Sequence, residues 1–353
     1  MKSLPLFPAS IVGSIPRPLV VRELIEKPAW DAVDSNTMDA AIRFVVAMQE
    51  RAGLDVVNDG EWRRRSYIGV IAELAHGFTL EINPADGRPW TVVTEKLTPK
   101  PAGFIAAEAK FVKKVATVAT KITLPAPALL GERLWDAERS RKAYPDRDDF
   151  VRACVAPLRA EIALLQDMGV EIVQIDDPHL CLFVDPDVRK KYDNPDRAAD
   201  FAVDMINETV KGFGGIKFAV HLCRRAGARV RGEKHHAGTY GPILAQLNKL
   251  EVQHLTMEFT AAGADDLESL GRLREDFELG LGVVDVTPGA PEAAALIASR
   301  VERALTRIDK KRITLNPDCG FAPGSAAKVD TDEVYLKLKA EAEAARMLRA
   351  KYA

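Results

Sequence analysis

The sequence predicts an α/β protein built as a (β/α)8 TIM barrel with a hairpin-containing insertion after strand two, and three observations carry that prediction. Eight short apolar runs recur along the chain, each closed by Gly, Pro, Asp or another turn-former. Most are followed by amphipathic stretches whose apolar residues return at helical spacing. The polar residues suited to chemistry gather where the runs end, which in a parallel barrel is the rim that carries an active site.

The runs lie at 9–12, 54–57, 121–124, 171–175, 216–221, 254–258, 279–284 and 312–315. The first stops at Gly13, the second at Asn58-Asp59-Gly60, the third at Pro125 and the fourth at Asp176-Asp177-Pro178. Helical spacing is clearest at 38–52, 150–168, 198–213, 265–277 and 291–308. Residues 79–118 break the rhythm. There, 79–82 and 91–96 alternate as hairpin strands do, with Pro84, Asp86, Gly87 and Pro89 between them. This segment is expected to be an insertion that decorates the barrel rather than a substrate lid or dimer arm. No linker or repeat interrupts the chain, so residues 1–353 are expected to form one domain.

Composition narrows the function. The chain has 353 residues, 47% hydrophobic and 28% charged, as a globular protein with a full core requires. With 49 basic and 51 acidic residues the net charge is −2, which offers no general attraction to nucleic acid or anionic lipid. Pro5, Pro8, Pro16 and Pro18 interrupt the N-terminal segment where a signal peptide would need an apolar core. No stretch reaches the roughly 20 apolar residues of a membrane span. Cys154, Cys181, Cys223 and Cys319 are too few and too scattered for a disulfide framework. The expectation is a cytoplasmic protein. Whether it forms a homo-oligomer the sequence leaves open.

His221 and Cys223 stand two apart at the end of the fifth run, so an extended backbone turns both to one face. Glu258 ends the sixth run and Cys319 follows the eighth. One imidazole, two thiols and a carboxylate on one rim suit Zn2+ better than Mg2+ or Ca2+. The competing reading, a closed structural staple, has little to do in a barrel with so large a core. Two thiolate ligands already donate strongly to the metal, so the expected chemistry is activation of an incoming thiol rather than of water.

The same residues carry a family resemblance. Val-Gly-Ser at 12–14, Asp-Gly-Glu at 59–61, Ile-Asp-Asp-Pro at 175–178, His-Leu-Cys-Arg at 221–224, Glu258 and Asn-Pro-Asp-Cys-Gly-Phe at 316–321 resemble the C-terminal catalytic barrel of cobalamin-independent methionine synthases. The match runs in order over essentially the whole chain. It makes the chain similar to a stand-alone core member, a group that includes the epoxyalkane:coenzyme M transferases. The resemblance implies His221, Cys223, Glu258 and Cys319 as zinc ligands. It implies Ser14, Glu61 and Asp176 as the groups that hold homocysteine, the serine through hydroxyl and backbone and the carboxylates through the ammonium. Glu61 and Asp285 are the implied catalytic groups.

Two departures bear on the methyl donor. Asp285 is followed by Val286 and Thr287, where the synthases have a histidine after the aspartate. Pro-Ala-Pro-Ala-Leu-Leu-Gly at 125–131 lacks the aromatic platform for a pterin, and Trp135 is out of register. A donor other than, or simpler than, polyglutamyl folate is expected. Basic residues stand instead: Arg63, Arg64 and Arg65, then Arg224, Arg225, Arg229, Arg231, Lys234, His235 and His236. They read equally as a solvated loop or as a receptor for an anionic group. The function expected is zinc-dependent methyl transfer from a small donor to homocysteine or a related thiol. The alternative is epoxide or alkyl conjugation to an anionic thiol such as coenzyme M.

Overall fold

The computed structural model describes residues 3–83, 87, 89–224, 236–322 and 330–353. Seven parallel strands make one curled sheet. In chain order with a separate hairpin, the strands are β1 (Val56–Val57), β2 (Ala75–Ile82), β3 (Pro89–Pro99), β4 (Ala119–Pro125), β5 (Ile172–Asp176), β6 (Lys217–Leu222), β7 (His254–Glu258), β8 (Glu278–Val284) and β9 (Ile313–Pro317). The sheet order is β1-β4-β5-β6-β7-β8-β9, and β2 pairs antiparallel with β3. The result is a TIM-barrel-like α/β fold.

Seven of the eight apolar runs are strands of this sheet. The run at 9–12 is instead a pair of isolated parallel bridges, Ala9 to Leu315 and Ser10 to Val56. Ladder hydrogen bonds flank it on both sides: Ser10 N–H donates to Leu315 O at 3.0 Å, and Asp55 N–H to Ala9 O at 2.9 Å. It therefore links β9 to β1.

Strands β4 to β9 are buried almost throughout, which is why they read as apolar runs rather than as alternating ones. Their polar residues fall at period two and meet across the interior. His254 on β7 is 2.8 Å from Thr314 on β9, and Thr256 Oγ1 lies 3.4 Å from Gln174 Oε1 on β5. Room for these side chains comes from glycines on β8. A Cβ at Gly280 would stand 2.4 Å from Asn316 Oδ1, and one at Gly282 2.5 Å from Asp318 Oδ1.

Helices Ala32–Ala52, Arg147–Asp167, Pro195–Val210 and Ala294–Ala304 occupy four of the amphipathic stretches. The first is set by a capping box at Asp31 and Asp34 and ends at Gly53, whose φ of 101° suits glycine. The stretch 265–277 contracts to Leu267–Leu270, which Gly271 terminates. Residues 271–277 turn irregularly there, tied by Arg274, which donates to Asn248 O and Leu250 O. The helix Thr331–Tyr352 packs under the sheet, placing Glu341 against the Ser10 backbone. No helix among the described residues is long and apolar enough to cross a membrane.

Candidate metal and thiol site

A cavity of about 1200 Å³ opens at the carboxyl ends of the strands. Ser14, Glu61, Asp176, His221, Cys223 and Cys319 all line it. Thus loops separated by as many as 305 residues in the sequence converge on one rim, because parallel strands all deliver their C-terminal ends to the same side.

His221 is the penultimate residue of β6, and Cys223 directly follows the strand. Cys319 arrives from the turn after β9, held by Asp318. Asp318 Oδ1 accepts from Phe259 N–H at 2.8 Å and Thr260 N–H at 3.0 Å, tying the ends of β7 and β9 together. The ligating atoms of His221, Cys223 and Cys319 all lie within 4.8 Å of one another, and all three residues are buried. The two sulfurs are 3.2 Å apart, within hydrogen-bond reach and not joined in a disulfide. The Cys319 sulfur and burial push the Cys223 thiol well above its ordinary pKa. For His221, burial opposes protonation, but the Asp176 carboxylate and Cys223 override it and bring the pKa to about 10. The cluster thus concentrates soft, electron-rich donors that a divalent cation would stabilise.

Glu258 does not join that trio. It is buried at the end of β7, with its carboxylate 3.7 Å from the Arg224 guanidinium. Tyr240 donates to the Glu258 carbonyl at 2.9 Å and lies under Arg224, whose Cζ is 4.3 Å from the ring centre. Arg224 is buried and does not line the cavity. Asp285 also stays outside it, accepting from Thr287 N–H and Oγ1 at 2.8 and 2.7 Å as the closing group of a turn.

Asp176 accepts from His221 Nδ1 at 2.9 Å and from Gln174 Nε2 at 2.7 Å through the same oxygen. The parallel register makes Asp176 and His221 direct neighbours on β5 and β6. This bond uses Nδ1 and leaves Nε2, buried and without a hydrogen-bond partner, as the nitrogen free to bind a metal. The helix that follows is capped by the neighbouring aspartate, Asp177, which accepts from Leu180 N–H at 2.9 Å.

Glu61 follows Gly60, and both have positive φ, 59° and 66°. For a glutamate this left-handed backbone is strained, and such strain collects at functional sites. Side-chain oxygens of Asn58 and Asp59 hold the turn by accepting from Gly60 N–H and Glu61 N–H, both at 2.9 Å. Burial raises the Glu61 pKa, Arg64 opposes that, and Asp176 adds to it. Gly13 leaves room for this carboxylate, since a Cβ there would stand 2.9 Å from Glu61 Oε1 and displace it. Likewise a Cβ at Gly320 would stand 2.4 Å from Ser14 Oγ, so the loops after Val12 and Cys319 interlock.

The arginines after Glu61 are not receptors for an anionic ligand. Arg63 pairs with Asp39, Arg64 with Glu108 and Thr123, and Arg65 donates to Ile25 O and Lys27 O. Arg225, Arg229, Arg231, Lys234 and His235 lie outside the described residues. His236 lines the cavity and pairs with Asp185 at 2.7 Å.

Sequence reasoning missed the aromatic wall. Tyr67, Trp90, Trp135 and Tyr192 line the cavity, with Trp90 brought by the hairpin and anchored by a 2.8 Å hydrogen bond to Arg133 O. Its signal was the lone tryptophan of the hairpin. Trp135 reaches the cavity from beyond the helix Pro127–Leu134, a position that counting from the strand end does not reveal.

The family model described as cobalamin-independent synthase, catalytic domain, matches residues 7–347. A methionine synthase of Saccharolobus islandicus is 29% identical over 335 residues, covering 91% of this chain and 90% of that protein. One of Sulfurisphaera tokodaii is 26% identical over 334 residues, covering 91% and 88%. Among solved structures, a B12-independent methionine synthase of a Shewanella species in complex with selenomethionine superposes with a TM-score of 0.78 at 22% identity, covering 98% and 99% of the two chains. A putative vitamin-B12-independent methionine synthase of Listeria monocytogenes gives 0.73 at 21% identity, with the same coverage.

Proposed function

The chain belongs to the family of cobalamin-independent synthase catalytic domains, and from that premise we propose that it is a zinc-dependent methyltransferase acting on the sulfur of homocysteine. One observation carries the reading. The His221, Cys223 and Cys319 donors share a cavity with Ser14 and two carboxylates, Glu61 and Asp176, that suit the ammonium of an amino-acid thiol.

His221 through Nε2, Cys223 and Cys319 are the ligands of this reading, with Glu258 the fourth once its carboxylate turns from Arg224. A zinc ion held by these residues would lower the pKa of a thiol and so supply a nucleophile at neutral pH. Glu61 and Asp176 bind the ammonium and Ser14 receives the carboxylate end, so the thiol is aimed at the metal donors. The methyl carbon gains a bond to the homocysteine sulfur as its bond to the donor breaks, and the departing donor takes a proton. The aromatic wall of Tyr67, Trp90, Trp135 and Tyr192 is the surface on which the donor lies. With Arg64 held by Glu108 and Thr123, that guanidinium is not offered to an anionic thiol. We also read the sheet as a closed (β/α)8 barrel whose eighth strand is the segment at Ala9 and Ser10, with the hairpin as an insertion.

The test is calorimetric titration of the zinc-loaded protein with homocysteine and with coenzyme M in buffers of different ionisation enthalpy. Homocysteine should bind with release of about one proton, followed by methionine formation when methyl donors are supplied. Binding of coenzyme M alone would overturn the reading.

A further inference from the structure

Resting on the reading that Glu61 holds the ammonium of homocysteine, we propose that Arg64 and Thr123 are positioning residues that orient the Glu61 carboxylate for that task. Arg64 Nη1 lies 3.0 Å from Thr123 Oγ1, and Thr123 Oγ1 lies 2.8 Å from Glu61 Oε1. The direction of this chain is decided by chemistry. A guanidinium has donors and no acceptor, so Thr123 must accept from Arg64. An ionised carboxylate has acceptors only, so in the form of Glu61 that pairs with an ammonium the hydroxyl's single proton goes to Oε1. Glu61 must be an acceptor at Oε1, the oxygen already confined beside Gly13. Its second oxygen is left to meet the substrate cation.

Arg64 is itself fixed. Its Nε and Nη2 both reach Glu108 Oε2, at 2.9 and 2.8 Å, and Nη1 also donates to the Thr123 carbonyl at 2.9 Å. Glu108 comes from the helix Phe104–Val115, outside the rim loops, so the chain runs from that helix through β4 to the cavity. All four side chains are nearly inaccessible. The Arg64 charge acts in the same direction as geometry, against the net upward pull of burial on the Glu61 pKa. Glu61 is buried near Asp176 and Asp59, which favour its protonated form, while Arg64 is the strongest opposing influence and Arg17 and Lys121 stand close by.

Thr123→Val keeps the shape of the side chain and removes its proton, and Thr123→Ser restores it. Calorimetry on the metal-loaded protein should show Thr123→Val weakening homocysteine about tenfold, the size of one hydrogen bond to a charged group. Propanethiol, which has no ammonium, should bind as to the parent protein, and Thr123→Ser should recover homocysteine binding. Arg64→Lys should show the same selectivity. Equal losses for both thiols, or none, would overturn the positioning role. Glu61→Gln separates this from failure of the underlying reading. If it leaves homocysteine affinity unchanged, both fall. If it weakens homocysteine while Thr123→Val does not, only the positioning chain falls.

Discussion

His221 Nδ1 and Asp176 Oδ1 are 2.9 Å apart, and the two residues are register partners on adjacent parallel strands. Asp176 therefore faces two ways, toward the imidazole that would bind metal and toward the cavity that would receive a thiol. Carboxylates that orient a metal-binding histidine typically contribute 10–100-fold to metal affinity. Asp176→Ala should weaken zinc by about that factor in a competition with a chromophoric chelator, beyond any effect on homocysteine. An unchanged zinc affinity would confine Asp176 to substrate binding.

Cys223 and Cys319 are symmetric in chemistry but not in support. Cys319 follows Asp318, which ties the ends of β7 and β9, whereas Cys223 extends β6. Cys319→Ala should lose the roughly one zinc per chain expected by metal analysis, and so should Cys223→Ala. Full retention by either variant would remove that residue from the ligand set. Glu258→Gln is the discriminating case: a carboxylate that turns to the metal predicts weaker zinc, while one that only balances Arg224 predicts parent-like zinc and a lower Tm.

Asp177 offers a pH test away from the metal donors' own titration. Burial raises its pKa to about 7 although it caps the helix Pro178–Leu182. The unfolded value lies near 3.9. Between these values the folded state holds the proton more tightly, so stability is full below about 4 and falls as pH rises through about 7. Asp177→Asn keeps an acceptor for Leu180 N–H and removes the buried charge. It should be more stable than the parent by about 1–2 kcal/mol at pH 8 and no more stable at pH 4, as measured by denaturant titration.

Trp90 stands on the hairpin strand β3 yet lines the cavity. If the aromatic wall carries the donor, Trp90→Ala should raise KM for the methyl donor about tenfold, in the range of a lost aromatic contact, and leave homocysteine binding unchanged. A matching loss for homocysteine would place the indole on the thiol side instead.

Metal removal supplies the last prediction. Chelation leaves His221, Cys223 and Cys319 crowded within 4.8 Å, with the Cys223 thiol pushed upward. The metal-free protein should therefore melt at lower temperature and lose the proton release on homocysteine binding, and zinc should restore both. A Tm indifferent to chelation would show that the cluster folds without a cation.

Much of this protein is decided locally. Apolar runs long enough for buried strands, each ended by a turn-former, determine seven strands of a parallel sheet, and parallelism alone delivers their ends to one rim. The two-residue spacing of His221 and Cys223 likewise suffices to put both on one cavity wall, because strand side chains alternate. Distances between strands are another matter. That Asp176 meets His221, that Cys319 closes on Cys223 while Glu258 stays with Arg224, and that Trp90 reaches the rim all depend on register and loop path across gaps of 34 residues or more. The arginines after Glu61 show the same limit most clearly. Three adjacent guanidiniums are identical as a sequence pattern, yet long side chains with several rotatable bonds take whichever partner packing supplies. Tertiary structure sent Arg63 to Asp39, Arg65 to backbone carbonyls and Arg64 to Glu108 and Thr123, and so made an apparent anion receptor into the support of a carboxylate.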